Sequence, residues 1–462
     1  MPTSAASETL PEPKYYLGCY KPGIAGVFHT TGVRLLLVLP FAVAVSISAG
    51  DILATLILAC WLLGGSWKER RTILRNSPVL LAALPFIALT FIGIFRYEDS
   101  LLKSLRYWNG HYPLFYVAVF ATLLDRKTDR CALLSCINLA FLLTWFCPVY
   151  LAVYYADALP EIFYSARIHS FQLYRNTICF GMALNIWILL WIYLPYSSRH
   201  IPLVQRVVPR FLLDAMETAS TSLPARWNRT VIMLFTLRWG IVIFATYYLF
   251  FVNSSRTAQL AILFAYAAGL LLKTGWRGFA AAAGLIVLLI GASSEFSDIF
   301  QKKINLSISE SKMFYDLMSG KVNEKKYAKT EYMRLGTYYF LIPAVSEKPV
   351  FGWGMEQGQI LVKERTRYND PHSEFLLVVL QHGFAGLILF LFWLLVFLLN
   401  TFRFKPPVRQ LGICLFIVLC IDCFFNCALS YHREAFLFCF LFAVLFVIES
   451  TAELSFTVSS EQ

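Results

Sequence analysis

The sequence predicts an all-α polytopic membrane protein of about twelve transmembrane helices, with one large, partly helical loop on the outer side. Three observations carry that prediction. Of 462 residues, 58% are hydrophobic and only 15% are charged, whereas soluble domains run near a quarter charged. The apolar residues gather repeatedly into runs approaching the roughly 20 residues a helix needs to cross hydrocarbon. The short stretches between those runs alternate in Lys and Arg content, as loops on opposite sides of a membrane do.

The runs fall near 31–49, 51–66, 78–95, 112–124, 131–153, 176–196, 231–252, 258–273, 278–292, 375–400, 411–429 and 434–449. The fourth, eighth, ninth and twelfth are short and are expected to tilt or extend into flanking residues. The N-terminus is polar and carries Pro2, Pro11 and Pro13, so no cleavable signal peptide is expected and the first run should insert and stay. One set of loops holds 19 Lys and Arg residues and the short loops of the other set hold 7. Positive charge is retained on the cytoplasmic side, so both termini are placed in the cytoplasm and the other face outside.

Residues 1–292 are thus read as helices one to nine, 293–373 as a large outer loop, and 374–462 as helices ten to twelve with a cytoplasmic tail. The loop carries both signs of charge, which does not break the rule because long loops translocate regardless. Within it, Tyr332, Leu335, Tyr339 and Ile342 of 331–346 recur at helical spacing, and Lys348-Pro349 stops the pattern. Asp370-Pro371 reads as an N-cap and first-turn proline leading into the tenth span, which Gly383 and Gly386 are expected to break near its start. No internal repeat stands out.

Disorder, collagen and a disulfide scaffold are excluded by this composition. The 11 cysteines lie almost all in apolar runs and read as small core residues, including the Cys420 and Cys423 pair. The net charge of +12 is explained by topology, so no nucleic acid is expected. Phosphate-loop, H-E-x-x-H and Asp-x-Asp signatures are missing, and neither a metal nor a cofactor is predicted. Gly352-Trp353-Gly354 reads as a turn.

What remains is a set of basic groups on the outer side. Arg256 sits in Asn253-Ser254-Ser255-Arg256-Thr257 between two spans; it is either an interfacial arginine on lipid headgroups or an anion site, since its fork matches phosphate. Arg167 and Arg175, in an earlier outer loop, read equally as membrane anchors or ligands. Arg334 could bind a ligand or pair with Glu331. His372 falls just after Asp370-Pro371, where a helix N-terminus would keep a neutral ring available as a proton acceptor. His111, His169 and His432 have ordinary interfacial explanations.

The order of these elements resembles the O-antigen ligase and polymerase superfamily: Asn-Ser-Ser-Arg-Thr at a helix junction, Arg334-Leu335 followed by Glu347-Lys348-Pro349-Val350-Phe351-Gly352, then His372-Ser373-Glu374-Phe375-Leu376 with Gly383-Phe384-Ala385-Gly386-Leu387. The family pattern has asparagine after the histidine, where this chain has Ser373. The resemblance implies an O-antigen ligase, a membrane glycosyltransferase of the GT-C type. It would move glycan, with inversion and without metal, from an undecaprenyl-diphosphate-linked donor to the lipid A-core acceptor. His372 and Arg256 would be catalytic, and Arg167, Arg256 and Arg334 would bind the diphosphate. Membrane lipids are the other expected partners, and a monomer is expected.

Three alternatives stay open: an O-antigen polymerase, a protein O-oligosaccharyltransferase using the same donor, and a lipid or solute transporter. Lys302, Lys303, Lys312, Lys321, Lys325, Lys326 and Lys329 of the loop could meet a phosphorylated lipopolysaccharide core, or form a solvated mixed-sign surface with Glu295, Asp298, Glu310, Asp316 and Glu324. The roles of Arg175 and Arg433 stay undefined.

Overall fold

The structure, a computed structural model, describes residues 23–64, 67–96, 100–108, 112–124, 132–134, 136–143, 177–193, 229–252, 255–296, 298–321, 334–366, 368–404, 406, 408–430, 435–443 and 445. Among the described residues all regular structure is helical. In chain order the helices are α1 (Ile24–Val45), α2 (Ile47–Leu63), α3 (Trp67–Asn76), α4 (Pro78–Ile94), α5 (Leu101–Trp108), α6 (Tyr116–Leu123), α7 (Thr177–Tyr193) and α8 (Arg229–Tyr247, with a π turn at Tyr248–Val252). They continue as α9 (Arg256–Thr274), α10 (Trp276–Phe296), α11 (Asp298–Met318), α12 (Arg334–Glu347), α13 (Met355–Thr366), α14 (Glu374–Thr401) and α15 (Val408–Phe425).

Four described helices are long and apolar enough to cross a membrane, namely Ile24–Val43, Arg256–Thr274, Glu374–Thr401 and Val408–Phe425; a fifth appears if Arg70–Asn76 and Pro78–Ile94, bent by 94°, count as one span. Several of the other predicted runs appear as shorter apolar helices, among them Ser48–Leu63, Pro113–Leu123, Phe180–Tyr193 and Arg238–Phe251. The first two helices begin earlier than predicted: α1 starts after Gly23, and the chain turns at Ser46, whose hydroxyl accepts the Ala49 N–H at 3.4 Å and so starts α2 there. Large apolar side chains such as Ile52, Leu84, Ile243 and Ile388 lie exposed on these helices, the outward face expected of a bundle solvated by lipid. The chain is a multi-pass membrane protein.

In lipid the apolar effect does not draw helices together, so close packing and polar contacts between helices carry the association. The core is aromatic: Phe86 of α4 meets Phe390 of α14 at 5.2 Å and Phe397 meets Phe442 at 4.6 Å. Polar contacts pin the register. Trp61 Nε1 donates to Thr122 Oγ1 at 2.7 Å, and Asn185 Nδ2 donates to the Ala258 carbonyl at 2.8 Å. Arg238, a charge inside a predicted span, donates to the Trp191 and Ile192 carbonyls at the end of α7, where free carbonyls and the negative end of the helix dipole favour a cation.

The predicted outer loop is more helical than its sequence suggested. Its Tyr339 helix is present as α12 and stops at Glu347 as expected. Helices α11 and α13 were not foreseen: α11 mixes charges along its whole length, and towards its end Leu317, Met313 and Phe314 pack on Tyr339 and Phe340 of α12. Helix α12 lies on the bundle, with Leu341, Ala344 and Val345 packed against Leu376, Val379 and Leu380 at the start of α14.

Helix α14 is broken where Gly383 and Gly386 predicted it. Gly383 has φ 65° and ψ −166°, which removes the helical bonds that Phe384 and Ala385 would make to Leu380 and Gln381. The turn at 349–354, on positive-φ Gly352 and Gly354, fills the break. Phe384 N donates to Pro349 O at 2.7 Å and Ala385 N to Val350 O at 3.1 Å, while Trp353 N donates to Leu380 O and Gly354 N to Gln381 O, both at 2.9 Å. All four groups released by the break are satisfied by one loop. Each would cost several kcal/mol if left bare in lipid.

This packing leaves no room for a side chain, since a Cβ on Gly383 would lie 2.3 Å from the Val350 carbonyl. Gly383→Ala is therefore expected to cost at least about 3 kcal/mol and to lower the melting temperature of the detergent-solubilised protein by several degrees. Gly284→Ala, where a Cβ meets nothing within 4 Å, serves as the control and should leave it unchanged. Equal melting temperatures for the two variants would mean that the loop does not occupy the break.

Candidate functional site

Antiparallel neighbours gather the candidate residues at one end of the bundle. Gly93 near the end of α4 lies against His382 of α14, while Phe86 meets Phe390 further along, so the end of α4 and the start of α14 share a level. The Cys414 thiol bonds the Ala265 carbonyl at 3.3 Å, which sets the start of α9 beside the end of α15. The Glu374 N–H donates to Asn426 O at 3.0 Å and closes the ring. Arg256, His372 and helices α11 to α13 all lie at this end.

His372 precedes α14 and does not sit in its first turn. The N-cap is Ser373, whose hydroxyl accepts the Leu376 N–H at 3.4 Å, and not Asp370 as the sequence suggested. Asp370 has a different task. Its Oδ1 accepts the His372 backbone N–H at 3.0 Å and lies 3.0 Å from His372 Nδ1, so this carboxylate holds both the backbone and the ring. Pro371 between them fixes the turn.

His372 has φ 53°, a left-handed conformation that costs a non-glycine residue on the order of 1 kcal/mol and concentrates at functional sites. Tyr368 packs edge-on to the imidazole with centroids 4.9 Å apart. A carboxylate on Nδ1 selects the tautomer whose Nε2 carries the lone pair. The imidazole is 22% exposed, so that lone pair is held in a defined direction at the rim of the bundle.

The start of α14 is tied down on its other side. The buried Glu374 carboxylate accepts the Leu429 N–H at 3.1 Å and the Ser430 hydroxyl at 3.0 Å, which ties it to the turn after α15. Within α15, Asn426 Nδ2 donates to buried Asp422 at 2.7 Å. Tyr338 of α12 donates its hydroxyl to Phe424 O at 3.2 Å. Burial pushes its phenol up, which keeps it a donor.

Arg256 is the first residue of α9, directly after the capping Ser255, whose hydroxyl accepts the Ala258 N–H at 3.3 Å. Sequence offered no acidic neighbour. The structure supplies one from α11: Nη2 lies 4.0 Å from Glu310 Oε2, and Nη1 donates to Ser307 Oγ. The guanidinium is 33% exposed and Glu310 only 9%. A cation at a helix N-terminus is unfavourable for the helix dipole, so this position is bound to what the guanidinium faces.

Arg334 opens α12, and its suggested partner Glu331 lies outside the described residues, as do Arg167, Arg175 and Arg433. Of the loop lysines, Lys302 and Lys312 are exposed on α11 and Lys321 lies over the Tyr315 ring at 5.7 Å. Lys325, Lys326 and Lys329 fall outside the described residues. Among the described residues no three His, Cys, Asp or Glu side chains are grouped to hold a metal ion. Sequence reasoning missed Asp370 as the histidine's partner and Ser307 and Glu310 as those of Arg256. The spacing Asp-Pro-His was the available signal for the first; Ser307 and Glu310 lie 51 and 54 residues beyond Arg256 and left none.

No curated protein matches the chain. Residues 240–391 match the family described as O-Antigen ligase, a stretch that holds Arg256, Arg334, the Asp370 and His372 pair and the break at Gly383, so in this segment the chain is similar to the O-antigen ligases.

Proposed function

We propose that the protein is an O-antigen ligase of the bacterial inner membrane, transferring glycan from undecaprenyl diphosphate to the lipid A-core of lipopolysaccharide at the periplasmic face. The observation that carries this reading is the Asp370 and His372 pair, 3.0 Å apart, at the same end of the bundle as Arg256. An oriented imidazole and an arginine at one end of the bundle are what a metal-independent displacement of diphosphate needs.

In that reaction an acceptor hydroxyl gives its proton to His372 Nε2 as its oxygen attacks the anomeric carbon. The bond from that carbon to the diphosphate oxygen breaks, and undecaprenyl diphosphate leaves with the bonding electron pair. Attack from the face opposite the leaving group inverts the anomeric centre. Asp370 stabilises the imidazolium that forms. Arg256, with Arg334 and Arg167, would bind the diphosphate and stabilise its growing charge, usually the largest single contribution in such catalysis. The energy comes from the diphosphate linkage itself, so no nucleotide is needed on the outer side.

The exposed Lys302 and Lys312 of α11 suit a phosphorylated core and favour ligation over polymerisation. Loss of the gene should leave lipid-linked polymer accumulating while the lipopolysaccharide core stays uncapped. Single repeat units attached to the core would instead identify a polymerase, and an unaltered core with unaltered glycan lipids would leave neither reading standing.

A further inference from the structure

The break in α14 divides it into a short first half, 374–382, which follows His372 and Ser373 directly, and a long second half inside the bundle. A broken helix is free to change its angle at the break unless something fixes it. Here the 349–354 turn does so through four backbone hydrogen bonds, two on each side of Gly383. The turn has carbonyls of its own. Those of Phe351 and Gly352 accept from Arg96 Nη1 at 2.5 Å and Nη2 at 3.0 Å.

Arg96 follows α4 directly, and its backbone N–H is held by Gly93 O at 3.3 Å. A Cβ on Gly354 would lie 2.5 Å from the Arg96 carbonyl, so the turn is seated on this residue and not merely near it. A rigid guanidinium fork is suited to two adjacent carbonyls, which a lysine cannot engage together. The connection therefore runs from the end of α4 through Arg96 to the turn, from the turn to Leu380 and Gln381, and along one short half-helix to His372.

We propose that Arg96 is a positioning residue for His372: its fork holds the 349–354 turn in the break of α14 and thereby sets the direction of the half-helix that presents the imidazole. This rests on the transfer reaction proposed above and on His372 as its base. A displacement of about 1 Å at a reacting group costs about a hundredfold in rate. Arg96 does not touch substrate in this account, so donor binding should survive its loss.

The test uses the purified full-length protein, with a lipid-linked glycan donor and a lipopolysaccharide core acceptor, as a double-mutant cycle of Arg96→Ala and His372→Gln. Arg96→Ala is expected to lower kcat about ten- to a hundredfold with donor KM within about threefold. Arg96→Gln, which keeps one donor, should fall between the two and serves if the alanine variant does not fold. In the His372→Gln background the Arg96 substitution should add less than about twofold, because the group it positions is already gone. The same loss in both backgrounds, or a wild-type kcat for Arg96→Ala, would overturn the proposal. A wild-type kcat for His372→Gln alone would instead remove the base assignment, a failure visible without either Arg96 variant.

Discussion

Replacing His372 with glutamine is expected to slow transfer by about a hundred- to ten-thousandfold, the usual contribution of a positioned general base, while binding of the lipid-linked donor persists. Glutamine keeps much of the side chain's size and its capacity to hydrogen-bond, but it cannot take the acceptor's proton. If His372 only hydrogen-bonds a substrate, glutamine should replace it in part, and a loss below about tenfold would end the assignment. The measurement is kcat of both proteins on donor and acceptor lipids.

Arg256→Ala is expected to lower kcat/KM about ten- to a thousandfold. A charge-assisted hydrogen bond is worth roughly 1.5–3 kcal/mol, and more where it strengthens as charge develops on the leaving diphosphate. Arg256→Lys should recover little, because the charge is kept and the fork is lost. In the structure the guanidinium faces Ser307 and Glu310 of α11, so in the proposed reaction the donor would address the side chain that the loop helix already holds. An alanine variant with near-normal turnover at normal expression would return Arg256 to a lipid-headgroup anchor.

Much of the architecture was legible because the membrane imposes it. Apolar runs marked helices, with α9, α14 and α15 falling within three residues of their expected starts, and glycine marked the break in α14. What fills that break was not legible, because the bonds from 349–354 are between backbone groups and leave no side-chain pattern beyond the glycines that permit them. Asp370 was misread for a related reason. Aspartate before proline is a sound helix-start signal, and Ser373 three residues later offers the same capping oxygen. Only coordinates show that Ser373 takes the cap and leaves Asp370 to the imidazole.

The helix α11 was lost among its charges, and with it the two residues facing Arg256. The positions of Arg256 and His372 in the site came from their motifs, which lie inside the matched segment 240–391. Arg96 carried no motif at all. Its importance comes from two carbonyls 255 and 256 residues away.

Reconstitution of the purified protein with a lipid-linked glycan donor and lipid A-core tests glycosyl transfer driven by departure of a polyprenyl diphosphate. Free undecaprenyl diphosphate and glycosylated core should appear in equal amounts, without nucleotide, and the new linkage should have the opposite anomeric configuration to the donor. Movement of intact donor across the vesicle bilayer with no diphosphate released would contradict it and identify a transporter.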